Sequence, residues 1–356
     1  MNNLNNYGVN ERFIAEAFLY PEYTLARVIA QYRGKYKVVT EQGEALAQIS
    51  GKMRNNTVEL EQYPAVGDFV MVSQQDLVQE TVIHRILTRK SVFVREAVGV
   101  TGQIQPVAAN IDTVFLCMSL NQNYNLNRME RYLSIAWDSG AIPVIVLTKT
   151  DLCDDLENAI NEVERISSFC DIIALSKFDE DIKERFAPYF AKNKTCAFIG
   201  SSGVGKSTII NCLLGKEALE TKEIGKADKG RHTTTGREMF LCPLGGVVID
   251  TPGMREMGAE SADLSKSFYD IEELAGQCRF SDCTHTGEPG CAVLAAVEDG
   301  QIEQRRLDSY FKLKQEAGYE GLSSKEIEVK KLERMFKEVG GMKNARKFMK
   351  KQDKRK

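Results

Sequence analysis

The chain has 356 residues with 47 Lys and Arg against 50 Asp and Glu, a net charge of −3, and a length that calls for two or three domains. Its 43% hydrophobic and 27% charged residues are ordinary for a water-soluble globular protein, and no apolar run approaches the roughly eighteen residues of a membrane span. The start, Met1-Asn2-Asn3-Leu4-Asn5-Asn6, carries no basic stretch leading into an apolar one, so no secretory signal is expected, and nine cysteines then point to a reducing cytoplasm where thiols pack, react or bind metal.

The first part of the chain, 1–103, reads as β structure. Stretches rich in apolar and β-branched residues at 24–32, 36–40, 44–49, 68–72 and 81–87 are separated by the turn signals Arg33-Gly34-Lys35, Gln42-Gly43, Gly51-Lys52 and Val66-Gly67. Short strands at this spacing predict a small barrel, with the oligonucleotide-binding (OB) type as its favoured version. Lys35, Lys37, Lys52, Arg54, Arg85, Arg89 and Lys90 could supply a basic groove, with Tyr32 or Tyr36 as stacking platforms. Basic residues on strand edges equally serve to prevent edge-to-edge pairing.

From Ile104 the pattern turns to α/β, and the segment 104–270 reads as one domain. Strands are predicted at 111–118, 142–147 and 171–175, with helices at 126–138 and 156–169, an alternation that implies a parallel sheet covered on both faces. Leu147 leads into Thr148-Lys149-Thr150-Asp151, which resembles the [N/T]-K-x-D box of GTPases, and Leu175 leads into Ser176-Lys177, which resembles the S-A-type box that comes after it. A carboxylate at Asp151 can accept hydrogen bonds from both N1–H and the 2-amino group of guanine, a pair of donors that adenine lacks. Lys149 would lie along the base plane. Thr148 stands where the box usually carries an Asn whose side chain braces the loop, so these residues argue for specificity more than for affinity.

The next strand, predicted at 195–199, runs into Gly200-Ser201-Ser202-Gly203-Val204-Gly205-Lys206-Ser207-Thr208 and then into the apolar run 209–214. Strand, glycine-rich turn and helix N-terminus are the setting of a phosphate loop, whose backbone N–H groups and helix dipole attract phosphate oxygens. Lys206 would reach the β- and γ-phosphates, and the Ser207 hydroxyl would ligate Mg²⁺. Farther along stand Gly230-Arg231-His232-Thr233-Thr234-Thr235-Gly236 and Val247-Val248-Ile249-Asp250-Thr251-Pro252-Gly253. Asp250 would hold Mg²⁺ through water and the Gly253 amide would sense the γ-phosphate. One threonine of Thr233, Thr234 and Thr235 would complete the metal shell, with Thr234 as the candidate and the choice among the three left open. Met254 occupies the place where Ras-like enzymes keep a water-orienting glutamine, so intrinsic hydrolysis should be slow and His232 is the candidate for that role.

In a common small GTPase the phosphate loop comes first and the N-K-x-D and S-A boxes last. Here the last two precede the others, so the GTPase domain reads as circularly permuted. The segment C-terminal to D-x-x-G is thereby tied directly to the switch region.

The C-terminal part, 271–356, opens on Cys278, Cys283, His285 and Cys291, spaced C-x₄-C-x-H-x₅-C. Three thiolates and an imidazole at this density fit a closed, structural Zn²⁺ site in an α-rich domain. The other cysteines, 117, 153, 170, 196, 212 and 242, read as packing residues. From Gly321 onward thirteen Lys and Arg face five Asp and Glu, which leaves a +8 tail on a body of −11 and points to an anionic partner.

Barrel, permuted boxes, the Gly230–Gly236 stretch and the zinc spacing together resemble the ribosome small-subunit-dependent GTPase A family, RsgA, over nearly the whole chain. The resemblance implies a GTPase that turns GTP into GDP and phosphate when stimulated by the small ribosomal subunit. It further implies a late-stage assembly factor that binds rRNA through its barrel and zinc domain, with Mg²⁺ and one Zn²⁺ per chain. Such a protein would work as a cytoplasmic monomer without membrane contact. Two other readings stand beside it: a GTP-binding RNA scaffold, and a GTPase acting on tRNA or a translation factor.

Overall fold

The computed structural model describes residues 3–32, 34–56, 62–73, 80–96, 104–167, 169–217, 219, 237–250 and 264–317. The expectations attached to His232, to Thr233, Thr234 and Thr235, to Gly253 and Met254, and to the basic tail lie outside these residues.

Alternation of small and branched apolar residues closes the N-terminal strands on one another. Two short helices, α1 (Asn3–Asn6) and α2 (Glu11–Ala17), precede β1 (Tyr23–Tyr32), β2 (Lys35–Thr40) and β3 (Gly43–Ile49); α3 (Gly51–Asn56) then leads toward β4 (Phe69–Ser73) and β5 (Glu80–Ile86). The strands pair in the order β1-β2-β3-β5-β4, and β4 returns to β1 through Tyr23↔Ser73 to Arg27↔Phe69, a closed five-stranded barrel. Every second residue points inward, Ala26 and Val28 on β1, Val70 and Val72 on β4, to form its core with Val38, Ala45, Ala47 and Ile83. All five predicted strands are present, each shifted by no more than one residue.

One residue of the predicted RNA groove needs correction. Tyr36 is buried in the barrel core and cannot stack on a base. Lys35 pairs with Glu80 at 2.6 Å, Lys37 with Glu44 at 2.6 Å, Arg89 with the buried Asp68 at 2.8 Å, and Lys90 with Asp112 at 2.7 Å. These cations serve the barrel's own ladder and its junction. Lys52, Arg54, Arg85 and Tyr32 are exposed.

A hairpin of β6 (Val92–Glu96) and β7 (Ile104–Ala109) links the barrel to an α/β unit. That unit comprises β8 (Thr113–Ser119), α4 (Leu126–Ser139), β9 (Ile142–Thr148), α5 (Leu156–Ile166), β10 (Asp171–Leu175), α6 (Ile182–Phe186), β11 (Thr195–Ile199), α7 (Lys206–Leu214), β12 (Arg237–Leu241) and β13 (Val247–Asp250). Its strands run β10-β9-β8-β11-β13-β12, all parallel to their neighbours except the antiparallel β12–β13 pair. Uninterrupted apolar strands are what two covered faces require. Val114, Leu116, Ile145 and Leu147 pack on the side of α4 and α5, while Phe115, Val144, Val146 and Phe198 pack on the side of α6 and α7. The helix expected over 156–169 stops at Ile166, because the Ser167 hydroxyl turns back to donate to Val163 O at 2.6 Å.

The α/β sheet does not end at β12. Ala30↔Glu238 and Gln31↔Arg237 pair β12 with β1, so one eleven-stranded sheet runs on into the barrel wall. Beneath this seam lies Arg27, wholly buried, whose Nε donates to Gly67 O at 3.1 Å, whose Nη2 donates to Thr195 Oγ1 at 2.9 Å, and whose Nη1 donates to Tyr7 O. One guanidinium thus ties the N-terminal segment, the barrel and the root of β11 together. Burial lowers it to about 10, opposed by the charges of Asp112 and Asp68.

Four C-terminal helices, α8 (Leu264–Ser267), α9 (Tyr269–Ala275), α10 (Ala292–Glu298) and α11 (Gln304–Ala317), enclose a separate core of Phe268, Ile271, Val293, Leu307, Tyr310 and Leu313. They dock on α4 through Glu130, a fully buried carboxylate that accepts from Arg306 Nη1 at 3.0 Å and Arg305 Nη1 at 3.2 Å. Arg306 also donates to both oxygens of Asp270, at 2.6 and 2.7 Å, a bidentate clamp. Arg306→Ala should destabilise this junction by about 3–5 kcal/mol, because it strips a buried carboxylate of its best-buried partner. Hydrogen exchange across 264–317 measures it; unchanged protection would mean that Arg305 alone satisfies Glu130. Among the described residues no helix is long and apolar enough to cross a membrane.

Candidate nucleotide site and metal centre

The C-terminal ends of β9, β10 and β11 bring the expected boxes to one rim of the sheet, outside the carboxyl ends of parallel strands where ligands of α/β folds bind. β11 ends at Ile199 as predicted, and α7 starts at Lys206 with Gly205 at φ 100° as its N-cap. At Gly200 a Cβ would stand 2.5 Å from Cys117 O, so only glycine lets the loop leave the sheet there. Lys206 Nζ donates to Gly200 O at 2.6 Å and Ser201 O at 2.8 Å, partners from its own loop that bend the ammonium over the turn.

Thr148, the departure from asparagine, makes a brace of its own. Its buried hydroxyl donates to Val204 O at 2.6 Å, which clips the end of β9 to the phosphate loop. Lys149 comes next, in the left-handed region at φ 59°, turning the chain so that Thr150 and Asp151 open a 3₁₀ turn. Asp151 Oδ1 accepts from Ser176 Oγ at 2.7 Å, so the two boxes touch directly. Ser176 N–H in turn donates to Asp179 Oδ2 at 3.1 Å. Arg128, absent from the expected site, reaches Ser201 Oγ at 3.4 Å from the first turn of α4, whose N-cap Asn125 accepts from Arg128 N at 2.9 Å. Its distance in sequence from the loop concealed it.

Asp250 closes β13, the parallel neighbour of β11, and Ser207 stands in the first turn of α7, which follows β11 through the phosphate loop. Hydroxyl and carboxylate are the hard oxygen donors that suit Mg²⁺. Cys117, directly under the loop, is no nucleophile: burial pushes its thiol up to about 12. Of the cysteines expected to pack, 117, 196 and 242 are buried and 153, 170 and 212 only half-buried.

Cys278, Cys283, His285 and Cys291 converge with their ligand atoms within 4.8 Å of one another. His285 Nδ1 lies 3.6 Å from Cys278 Sγ and 3.4 Å from Cys291 Sγ, and the two sulfurs are 3.9 Å apart. A tetrahedral zinc with bonds near 2.3 Å to sulfur and 2.0 Å to nitrogen sets those separations at about 3.8 and 3.5 Å. Cys278, His285 and Cys291 therefore already stand at the separations of zinc ligands, with Cys283 Sγ within 4.8 Å of them. Glu288 shapes the loop, accepting from the Thr284 hydroxyl and from the N–H groups of Thr284, Thr286 and Gly287.

Moving β11–β13 ahead of β8–β10 in sequence would restore the box order of a common small GTPase without displacing a strand in the sheet. Fold and site together define a P-loop GTPase of circularly permuted order. The comparisons agree. The family described as RsgA GTPase matches residues 86–260. A small ribosomal subunit biogenesis GTPase, RsgA 2 of Lactiplantibacillus plantarum, is 48% identical over 94% of this chain and 95% of its own length. RsgA of Methanosarcina acetivorans is 40% identical over 98% and 94%. YjeQ from Thermotoga maritima superposes with a TM-score of 0.60 at 27% identity, covering 83% of this chain and 98% of its own. YloQ, a circularly permuted GTPase, gives 0.59 at 26%, covering 84% and 96%. The chain belongs to the RsgA GTPase family.

Proposed function

We propose that this chain hydrolyses GTP to GDP and phosphate during late assembly of the small ribosomal subunit, and that the subunit stimulates the reaction. What carries the reading is the junction of Asp151 and Ser176 beside a phosphate loop clipped by Thr148, in a chain 48% identical to a named small ribosomal subunit biogenesis GTPase. Thr148, Lys149, Thr150, Asp151 and Ser176 hold guanine, while Gly200, Ser201, Ser202, Gly203, Val204, Gly205, Lys206, Ser207 and Thr208 wrap the phosphates. Lys206 exchanges two carbonyl partners for phosphate oxygens. Gly253 meets the γ-phosphate. Mg²⁺ held by Ser207, Thr234 and, through water, Asp250 would neutralise the phosphate charge.

We divide the chain into an OB-type barrel (1–103), the permuted GTPase (104–270) and an α-rich zinc domain with a basic helical tail (271–356), a cytoplasmic monomer whose outer parts meet rRNA. The test measures GTP turnover with and without purified small subunits. Slow intrinsic and strongly stimulated turnover supports the reading; turnover that responds only to tRNA, or none at all, replaces it with one of the two alternatives. In the same assay His232→Ala should abolish stimulated turnover and leave GTP affinity intact; unchanged stimulation would remove His232 from the mechanism.

A further inference from the structure

The loop after β10 carries a side chain that neither the sheet nor the helices account for. Phe178 is 70% exposed, an unfavourable place for a phenyl ring. Its backbone is fixed on the Asp151 side of the loop. Phe178 N–H donates to Ser176 Oγ at 3.3 Å, and that hydroxyl donates to Asp151 Oδ1 at 2.7 Å, so two hydrogen bonds separate Phe178 from the carboxylate. The register Leu175↔Thr148 holds the two loops level at the same rim. Lys177 Nζ sits 4.9 Å from the Phe178 ring centroid, a cation–π contact that orients the ring from one face. In the loop after β9, Lys149 is held at φ 59°, two positions before Asp151.

We propose that Phe178 is a stacking platform for the purine whose edge Asp151 accepts, with the Lys149 stem on the other face of the base. The proposal rests on the reading of Asp151 as the guanine acceptor. Division of labour comes from the chemistry. Every base has a π-face, so Phe178 supplies affinity without choosing among bases, and Asp151 makes the choice. Because GTP and GDP carry the same base, the contact is equal in ground and transition states, and its loss raises KM and leaves kcat.

The experiment compares the unmodified protein, Phe178→Ala and Phe178→Tyr in binding GDP, GTP, ADP and tripolyphosphate, the last having phosphates and no base. Phe178→Ala should weaken GDP and GTP by the same factor, about 5- to 150-fold, leave tripolyphosphate binding unchanged, and be rescued by Phe178→Tyr. GDP affinity unchanged in Phe178→Ala overturns the platform, as does an equal loss for tripolyphosphate, which would mean that the loop itself had collapsed. Failure of the Asp151 reading has a separate signature: the unmodified protein would bind ADP as tightly as GDP, whatever Phe178 does.

Discussion

Asp151→Asn is expected to turn a guanine site into a xanthine site. In the proposed site the carboxylate would accept from N1–H and the 2-amino group, and an amide at this position sets an N–H₂ against a donor; xanthine, with a carbonyl at C2, accepts from it. A site built around such a pair rejects the wrong partner by about 10⁴- to 10⁵-fold at most, so GTP should weaken by up to that order and xanthosine triphosphate should gain. The exchange is clean because Asn can still accept from Ser176 Oγ through its side-chain oxygen, which keeps the two loops joined. Competition against a fluorescent guanine nucleotide measures both arms. Equal affinity of the unmodified protein for ATP and GTP would sink the assignment.

The second large effect is on the metal centre. Replacing Cys283 with Ser, or stripping the metal with a strong chelator, should release about one zinc per chain and unfold the C-terminal helices, since structural zinc supplies on the order of 10 kcal/mol to small domains. Cys291 adds to the loss, because its sulfur also caps α10 by accepting from Leu294 N–H at 3.4 Å. GTP binding should survive, as the phosphate loop and Thr148 lie on other elements with their own core. Elemental analysis of protein purified without chelator decides the first point and hydrogen exchange over 264–317 the second. Finding no zinc reduces the four ligands to a coincidence of packing.

Local chemistry made much of this molecule legible in its sequence. β10 and β11 have the predicted bounds because each is a polar residue followed by four apolar ones, Ile172–Leu175 and Cys196–Ile199, that stop at a serine- or glycine-led box. The cluster of Cys278, Cys283, His285 and Cys291 is readable because four rare donors fall within fourteen residues. Features that could not be read depend on distant partners. Tyr36 alternates with Lys35 and Lys37, and only closure of β2 against β1 and β3 decides that it points inward. Phe13, on a helix of unremarkable composition, owes its burial to stacking on Phe69 at 4.0 Å. The Thr148 brace needs Val204, fifty-six positions away, and the Glu130 anchor needs arginines still farther along the chain.

The ladder between β12 and β1 has a mechanical consequence. A flexible linker absorbs small displacements, whereas a hydrogen-bonded ladder moves in steps: a strand that keeps its faces can slide only by two residues, roughly 7 Å. β12 leaves the Gly230–Gly236 stretch and is held between β13, which ends at Asp250, and β1. β1 in turn is locked to both β2 and β4 in a closed ring, so it has no slack to give. Any slip of β12 must therefore either break its seam with β1 or carry the whole ring along with it.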